Sequence, residues 1–424
     1  MDKFFKITEH GSTVKTEIIA GFTTFFAMAY IIFVNPNQVT GFTEGLSNIW
    51  NAVYVASILA ATIGTLLMAL YAKMPFAQAC GMGLNSFFFV SFILPQVIAG
   101  GDCVQGYQAG LVIVLISGII FMILSLTGAR QYIAKAMPEC LKKAIPAGIG
   151  LFITYIGFQN VGIIQANQYT LTQFVDIHGA INGEGGIMTV LPALLALLGF
   201  LLIVILGKRN VKGNVLIGII ITAVLYYVFS GTVPSFDITQ IGQSFKDFAD
   251  IGVTGVFHAA SWKHAFSPEF VGGVFSAILY IITFCLIDMF DTIGTLYGTA
   301  AQADLLDENG EMPGMKKALL CDAIATTAGA VTGTSTVTTF VESSAGVAEG
   351  GRTGLASMAT AVMFFIAMFL SPVAQLIPTY ACAAALIYVG VLMLMGLKNV
   401  NFEDMDQMVP VALMLIGMPI SGSI

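Results

Sequence analysis

Two aspartates three residues apart, Asp288 and Asp291 in FCLIDMFDTIGTLYG, and one glutamate, Glu342 in TSTVTTFVESSAG, lie in stretches that are otherwise apolar or hydroxylated. Positions i and i+3 of a helix share a face, so the two aspartates point the same way, with Thr292 and Thr295 one turn further on. An ionised carboxylate at the centre of a membrane helix costs roughly 2.5–3.5 kcal/mol on insertion scales, so three cost about 8–10 kcal/mol before compensation. Acids kept at that cost mark a substrate or proton site, whereas the structural reading makes them helix caps or members of a hydroxyl network. Asn85 in GMGLNSFF adds a carboxamide, with donors and an acceptor for a heterocycle edge, or else a helix N-cap. Phe87, Phe340 and Tyr30 offer faces for a planar ligand, although in a chain with 32 Phe most rings serve lipid or core contacts.

Whether these acids lie at membrane depth depends on the elements that carry them. The 424 residues are 57% hydrophobic and 10% charged, against about 25% charged in a soluble domain. A mean hydropathy of +0.88 leaves too little polar surface for a water-soluble globule, so the chain reads as a polytopic membrane protein in a lipid bilayer. The net charge of -7 provides no basic field for nucleic acid. Six cysteines without C-x-x-C spacing read as buried packing residues, and four histidines form no ligand cluster, so neither metal nor cofactor is expected. The polar N-terminus lacks the features of a signal peptide.

Apolar runs that span about 30 Å of hydrocarbon fall near 18–34, 52–71, 108–127, 144–164, 190–206, 213–230, 270–298, 316–333, 354–371 and 380–397, with another from 408. Segments 78–98 and 335–352 are hydrophobic but broken by Gly, Ser and Thr, and 240–267 reads as interfacial. With the N-terminus in the cytoplasm and both broken segments counted as crossings, the inner loops hold all of the 17 basic residues except Lys246 and Lys263. That asymmetry is the one the positive-inside rule predicts. PFAQACGMGLNSFFF and TSTVTTFVESSAG occupy corresponding places in two halves of opposite orientation. Paired interrupted segments in inverted halves point to a transporter's binding site. The reading divides the chain into a first repeat over 1–232, an interfacial connector over 233–268, and a second repeat over 269–424. The second half is one span short of the first, so a final helix is expected to be absent or truncated.

The octet Gly346-Val347-Ala348-Glu349-Gly350-Gly351-Arg352-Thr353 is one residue from the phosphate-binding pattern G-x-x-x-x-G-K-[ST]. Arg352 stands where the lysine belongs, Glu342 and Glu349 repel phosphates, and no soluble α/β domain surrounds it. A strand running into a helix inside the membrane is the better reading. The loop QADLLDENGEMPGMKK reads as a solvated turn, since it lacks the alternating oxygen ligands of a calcium loop.

At FCLIDMFDTIGTLYG, TSTVTTFVESSAGVAEGGRTGL, PFAQACGMGLNSFFF and TTFFAMAYIIFVNP the chain resembles the AzgA-like purine permeases, a branch of the nucleobase–cation symporters, also called nucleobase–ascorbate transporters. The resemblance runs along essentially the whole chain. It implies an all-α fold of fourteen spans in two inverted repeats of seven, divided into core and gate, with short antiparallel strands in the third and tenth spans. It also implies proton-coupled uptake of hypoxanthine, guanine or adenine. By motif match, Asp288 takes the place of the substrate-binding acid of the eighth span and Asp291 that of its second acid. Glu342 takes that of the acid beginning the tenth span, Asn85 matches the polar residue of the third, and Phe340, Val341 and Ser343 line the site. Asp288, Asp291 and Glu342 are thereby the proton-coupling candidates. The expected setting is the cytoplasmic membrane, and related carriers often dimerise, which makes a homodimer one expected assembly.

Three rivals are weighed. An anion carrier of the same architecture, as in sulfate permeases, needs positive charge where the half-helices meet, and this site has acids. An intramembrane aspartyl protease needs its aspartates on facing helices, whereas Asp288 and Asp291 share one and Asp322 lacks the flanking residues. A channel needs repeated rings of charge, not one cluster.

Overall fold

The computed structural model describes residues 2–127, 138–183, 186–302 and 312–421. Arg130, Lys135 and most of the loop expected to be a solvated turn at 302–317 lie outside the described residues. Eight helical runs among those described are long and apolar enough to cross a membrane, and Asn214–Ser230 and Met405–Ser421 are shorter apolar helices. The first crossing is made of α1 (Val14–Met28) and α2 (Ile31–Val39), and the second is α3 (Ser47–Leu67). β1 (Gln78–Cys80) runs into α4 (Met82–Phe88), and α5 (Cys103–Thr127) and α6 (Glu139–Asn160) follow. After a β2–β3 hairpin (Ile164–Asn167, Leu171–Phe174) come α7 (Ile187–Lys208) and α8 (Asn214–Ser230). Two short helices, α9 (Gln240–Asp247) and α10 (Ala259–Ala265), occupy the connector expected to be interfacial.

The second half begins with α11 (Val274–Gln302) and α12 (Met315–Thr332). β4 (Val337–Thr339) then runs into α13 (Ser343–Ala348), followed by α14 (Gly354–Ala367), α15 (Thr379–Met393) and α16 (Met405–Ser421). Every expected span is met by a helix, and both broken segments are strand-to-helix junctions. β1 and β4 pair antiparallel, with Gln78 opposite Thr339, Ala79 opposite Thr338 and Cys80 opposite Val337. The third and tenth crossings run in opposite directions by connectivity, so their strands meet antiparallel, as two inverted halves require.

Helices sort into two packing groups. In one, α12 packs on α3 and α5, and α14 packs on α1 and α3. In the other, α6 packs on α15 and α16, and α7 on α8 and α15. The first group is the core and the second the gate. Without a strong hydrophobic drive between helices in lipid, close contact rests on small residues. A Cβ on Gly150 would come 2.4 Å from the Gly390 carbonyl oxygen, so α6 and α15 cross with their backbones in contact. A Cβ on Gly354 would lie 2.1 Å from the Ala69 carbonyl oxygen, which fixes the start of α14 against the end of the second crossing. Five of the six cysteines are buried, in keeping with the packing reading.

The β2–β3 hairpin is not foreseen by the apolar runs. Its alternating residues IQAN and LTQF pair in register, and the Asn167 side chain receives the Tyr169 and Thr170 amides at 2.8 and 2.9 Å to close the turn.

Candidate functional site

The paired strands lie against α11 and α12, and that contact is built from carboxylates and threonines. The Thr326 hydroxyl on α12 donates to Asp288 on α11 at 2.7 Å. The Thr292 hydroxyl on α11 donates to Asp322 on α12. Each acid is thus met by the threonine four residues beyond the other acid, an arrangement two antiparallel helices with matching i, i+4 pairs can form. The strands are tied into it. Gln78 Nε2 donates to Asp322 at 3.0 Å, and the Thr292 and Thr338 hydroxyls are 2.9 Å apart. The Val337 amide donates to Thr326 Oγ1 at 3.0 Å. Asp288 and Asp322 are 1% and 0% exposed.

Asp322 therefore corrects the expectation of three acids at membrane depth. Its signal was in the sequence: CDAIATT places Thr326 four residues after the acid, as Asp288 is followed by Thr292. It was missed because the one test put to it was for protease flanks. Glu17 on α1 is also fully buried. It accepts the Arg352 and Thr353 amides at 2.9 and 3.2 Å, just before α14. The backbone donors that a phosphate loop would offer are held by a carboxylate of this chain. The glycines of that stretch serve packing: a Cβ on Gly346 would lie 2.5 Å from the Ala20 carbonyl oxygen.

The remaining candidates fall into closed and open sets. Asn85 is fully buried, donates to Asn35 and accepts from Ser335, so its carboxamide joins the first, third and tenth crossings. Gln38 extends this cluster, donating to the Met82 carbonyl at 3.1 Å and the Ser86 hydroxyl at 3.2 Å. Ser343 is buried, and its hydroxyl accepts the Ala77 amide at 3.0 Å. Phe340 is buried in the main core, and Phe87 packs on Tyr280 and Phe284. In contrast, Val341 is 48% exposed. Glu342 and Asp291 are partly exposed. The Tyr30 hydroxyl donates to Glu342 Oε1 at 2.6 Å. The Asp291 carboxylate takes no hydrogen bond among the described residues, and α11 packs on both β4 and α13, which bracket Glu342. One tyrosine-bound carboxylate and one that takes no hydrogen bond among the described residues, both partly exposed, therefore lie by the strand-to-helix junction of the tenth crossing. No group of three or more His, Cys, Asp or Glu that could hold a metal occurs among the described residues.

Comparison with known proteins bears on the family and the fold. The Permease family profile (Xan_ur_permease) matches residues 15–421. The chain is similar to the adenine permease AdeP of Escherichia coli (strain K12), 38% identical over 424 residues covering 100% of this chain and 87% of that one. It is 41% identical over 431 residues to the guanine/hypoxanthine permease PbuG of Bacillus subtilis (strain 168), covering 100% and 90%. Among solved structures, the transmembrane domain of the cyanobacterial bicarbonate transporter BicA superposes with a TM-score of 0.63 at 14% identity, over 96% of each chain. At that identity the likeness speaks for the fold alone.

Proposed function

This chain belongs to the Permease family, a membrane transporter and not an enzyme, and on that footing we propose that it takes up purine nucleobases in symport with protons. The substrate is hypoxanthine, guanine or adenine, the membrane is the cytoplasmic membrane, and the N-terminus lies inside. The observation that carries the reading is the two partly exposed carboxylates, Glu342 and Asp291, by the strand-to-helix junction. A purine is planar, mostly neutral at pH 7, and edged with ring N–H donors and ring nitrogen acceptors. Glu342 accepts a ring N–H while Tyr30 holds the carboxylate in place, and Val341 covers part of the ring. Asp288, Ser343 and Asn85 hold the two strands and half-helices in position around it, with Phe340 behind. Asp291 or Asp288 carries the proton of the loaded state, which removes a charge that the apolar interior does not compensate.

The two inverted repeats, 1–232 and 269–424, supply the core and gate groups, and one moves against the other by a rocking or elevator step. One proton crossing about 150 mV supplies roughly 3.5 kcal/mol, near 300-fold accumulation. Reading the site as an anion carrier's fails on charge: among the described residues the buried charged side chains are Glu17, Asp247, Asp288 and Asp322, all acids.

Purified protein in liposomes with an imposed pH gradient tests this. Labelled hypoxanthine, guanine or adenine should accumulate with the gradient and not without it, and Glu342→Gln should reduce uptake at least about tenfold, the loss of a charge-assisted hydrogen bond. Uptake of bicarbonate or sulfate, with none of any purine, would overturn the proposal.

A further inference from the structure

A second feature lies on the opposite face of the membrane from the N-terminal end of α1. A cavity of about 640 Å³ opens there between the core and the connector, and neither Asp288, Asp291 nor Glu342 lines it. Its volume lies in the ordinary range of small-molecule sites, about 300–1,000 Å³. Trp50 lines it, backed by Tyr54 in a near-parallel stack with ring centroids 5.5 Å apart and planes 13° apart. Its indole N–H donates to Asn37 Oδ1 at 3.0 Å, which fixes the ring's tilt. Phe42 also lines the cavity. Its φ of 58° is rare for a bulky residue, and its amide donates to the Asn37 carbonyl at 2.8 Å, which holds that conformation.

The same lining carries a belt of carboxamides around Asp247, with Glu44 as a second acid. Asn51 and Gln243 each donate to Asp247 at 2.7 Å, and Gln375 donates to Asn51 at 3.0 Å. An aromatic ring in a cavity whose lining holds amide oxygens and two carboxylates, Glu44 and Asp247, and no cation suits a planar heterocycle that presents ring N–H donors. The position suits it too. Asn37 is seven residues beyond Tyr30 along the first crossing, roughly 10 Å on a helix. Asn37, which lines the cavity, also reaches Cys382 of α15 at 3.5 Å, a contact between core and gate.

We propose that this outer cavity is a second binding site for the same heterocycle, a station in which a base stacks on Trp50 and pairs with the Asn51–Gln243–Gln375 belt before it moves inward to Glu342. The proposal rests on the purine reading above. The chain has two tryptophans, so Trp262→Phe leaves Trp50 as the sole emitter. The probes are adenine and hypoxanthine, titrated into purified protein, with stoichiometry measured by equilibrium binding of the labelled base.

Wild type should bind two bases per chain, and Glu342→Gln in the Trp262→Phe background should bind one and still show saturable quenching of Trp50 emission. Trp50→Ala should weaken the second site about two- to tenfold, the worth of ring stacking, and Trp50→Phe should recover most of that. Gln243→Leu, which leaves the platform intact, should weaken the same site. Wild type that binds one base, with Glu342→Gln binding none and no quenching, would overturn the second site and leave the purine reading standing. No binding of either base to wild type, at either site, would overturn both.

Discussion

At the scale of single residues, Asp288 and Asp322 show how a membrane interior meets buried acids with hydroxyl and amide donors. Each is met by a threonine of the facing helix, and Asp322 also by Gln78. Hydrogen bonds to a carboxylate contribute about 1.5–3 kcal/mol each, more than neutral ones. Asp322→Asn keeps one oxygen for one of the two donors and turns its N–H₂ toward the other. We expect Asp322→Asn to lower the unfolding free energy of the purified protein by about 1–3 kcal/mol, read as a drop in melting temperature in detergent. Thr292→Val removes one of the same donors, so its effect in the Asp322→Asn background should be smaller than alone. Full additivity of the two would show that they do not interact.

Among the elements, the start of α14 explains why a phosphate-loop look-alike occurs in a permease. A helix N-terminus leaves backbone N–H groups without partners and carries positive partial charge. Here Glu17, brought in by α1, takes the Arg352 and Thr353 amides, while Thr353 caps the Leu355 amide at 3.3 Å. Glu17→Ala should cost about 2–4 kcal/mol, from two lost charge-assisted bonds and the lost dipole contact, and Glu17→Gln less, since one oxygen remains. Equal melting temperatures for wild type and the alanine variant would remove this account. Gly354 belongs to the same junction. Because the atom a Cβ would meet there is backbone oxygen, Gly354→Ala should cost about 1–3 kcal/mol from overpacking, measured in the same unfolding experiment.

For the whole molecule, the two packing groups touch through few elements, among them α2 with α15 and α4 with α6. Lys212, between α7 and α8, pairs with Glu349 at the end of α13, which adds an ionic link between gate and core. The proposed orientation is tested across one span. Tyr169, in the β2–β3 hairpin before α7, is 92% exposed, and Arg209, just after α7, is exposed. Cysteine at 169 should react with a membrane-impermeant maleimide added to intact cells, and cysteine at 209 only after permeabilisation. The reverse pattern would invert the proposed topology.

The amino-acid sequence by itself determined the number and place of the crossings, because apolar length and the position of lysines are local quantities that the bilayer reads segment by segment. It also placed the two broken segments and the acids of α11 and of the tenth crossing. Only the tertiary structure decided which of those acids is open. Asp288 and Asp291 are three residues apart in one helix, yet one is closed off by Thr326 of α12 and the other partly exposed. Asn85 has the same history: a carboxamide fit for a ligand was spent on Asn35 and Ser335, fifty and 250 residues away along the chain. A polar side chain states what it can bond, but in a membrane interior, where water cannot satisfy the remainder, the partner that arrives through folding settles whether anything is left for a substrate.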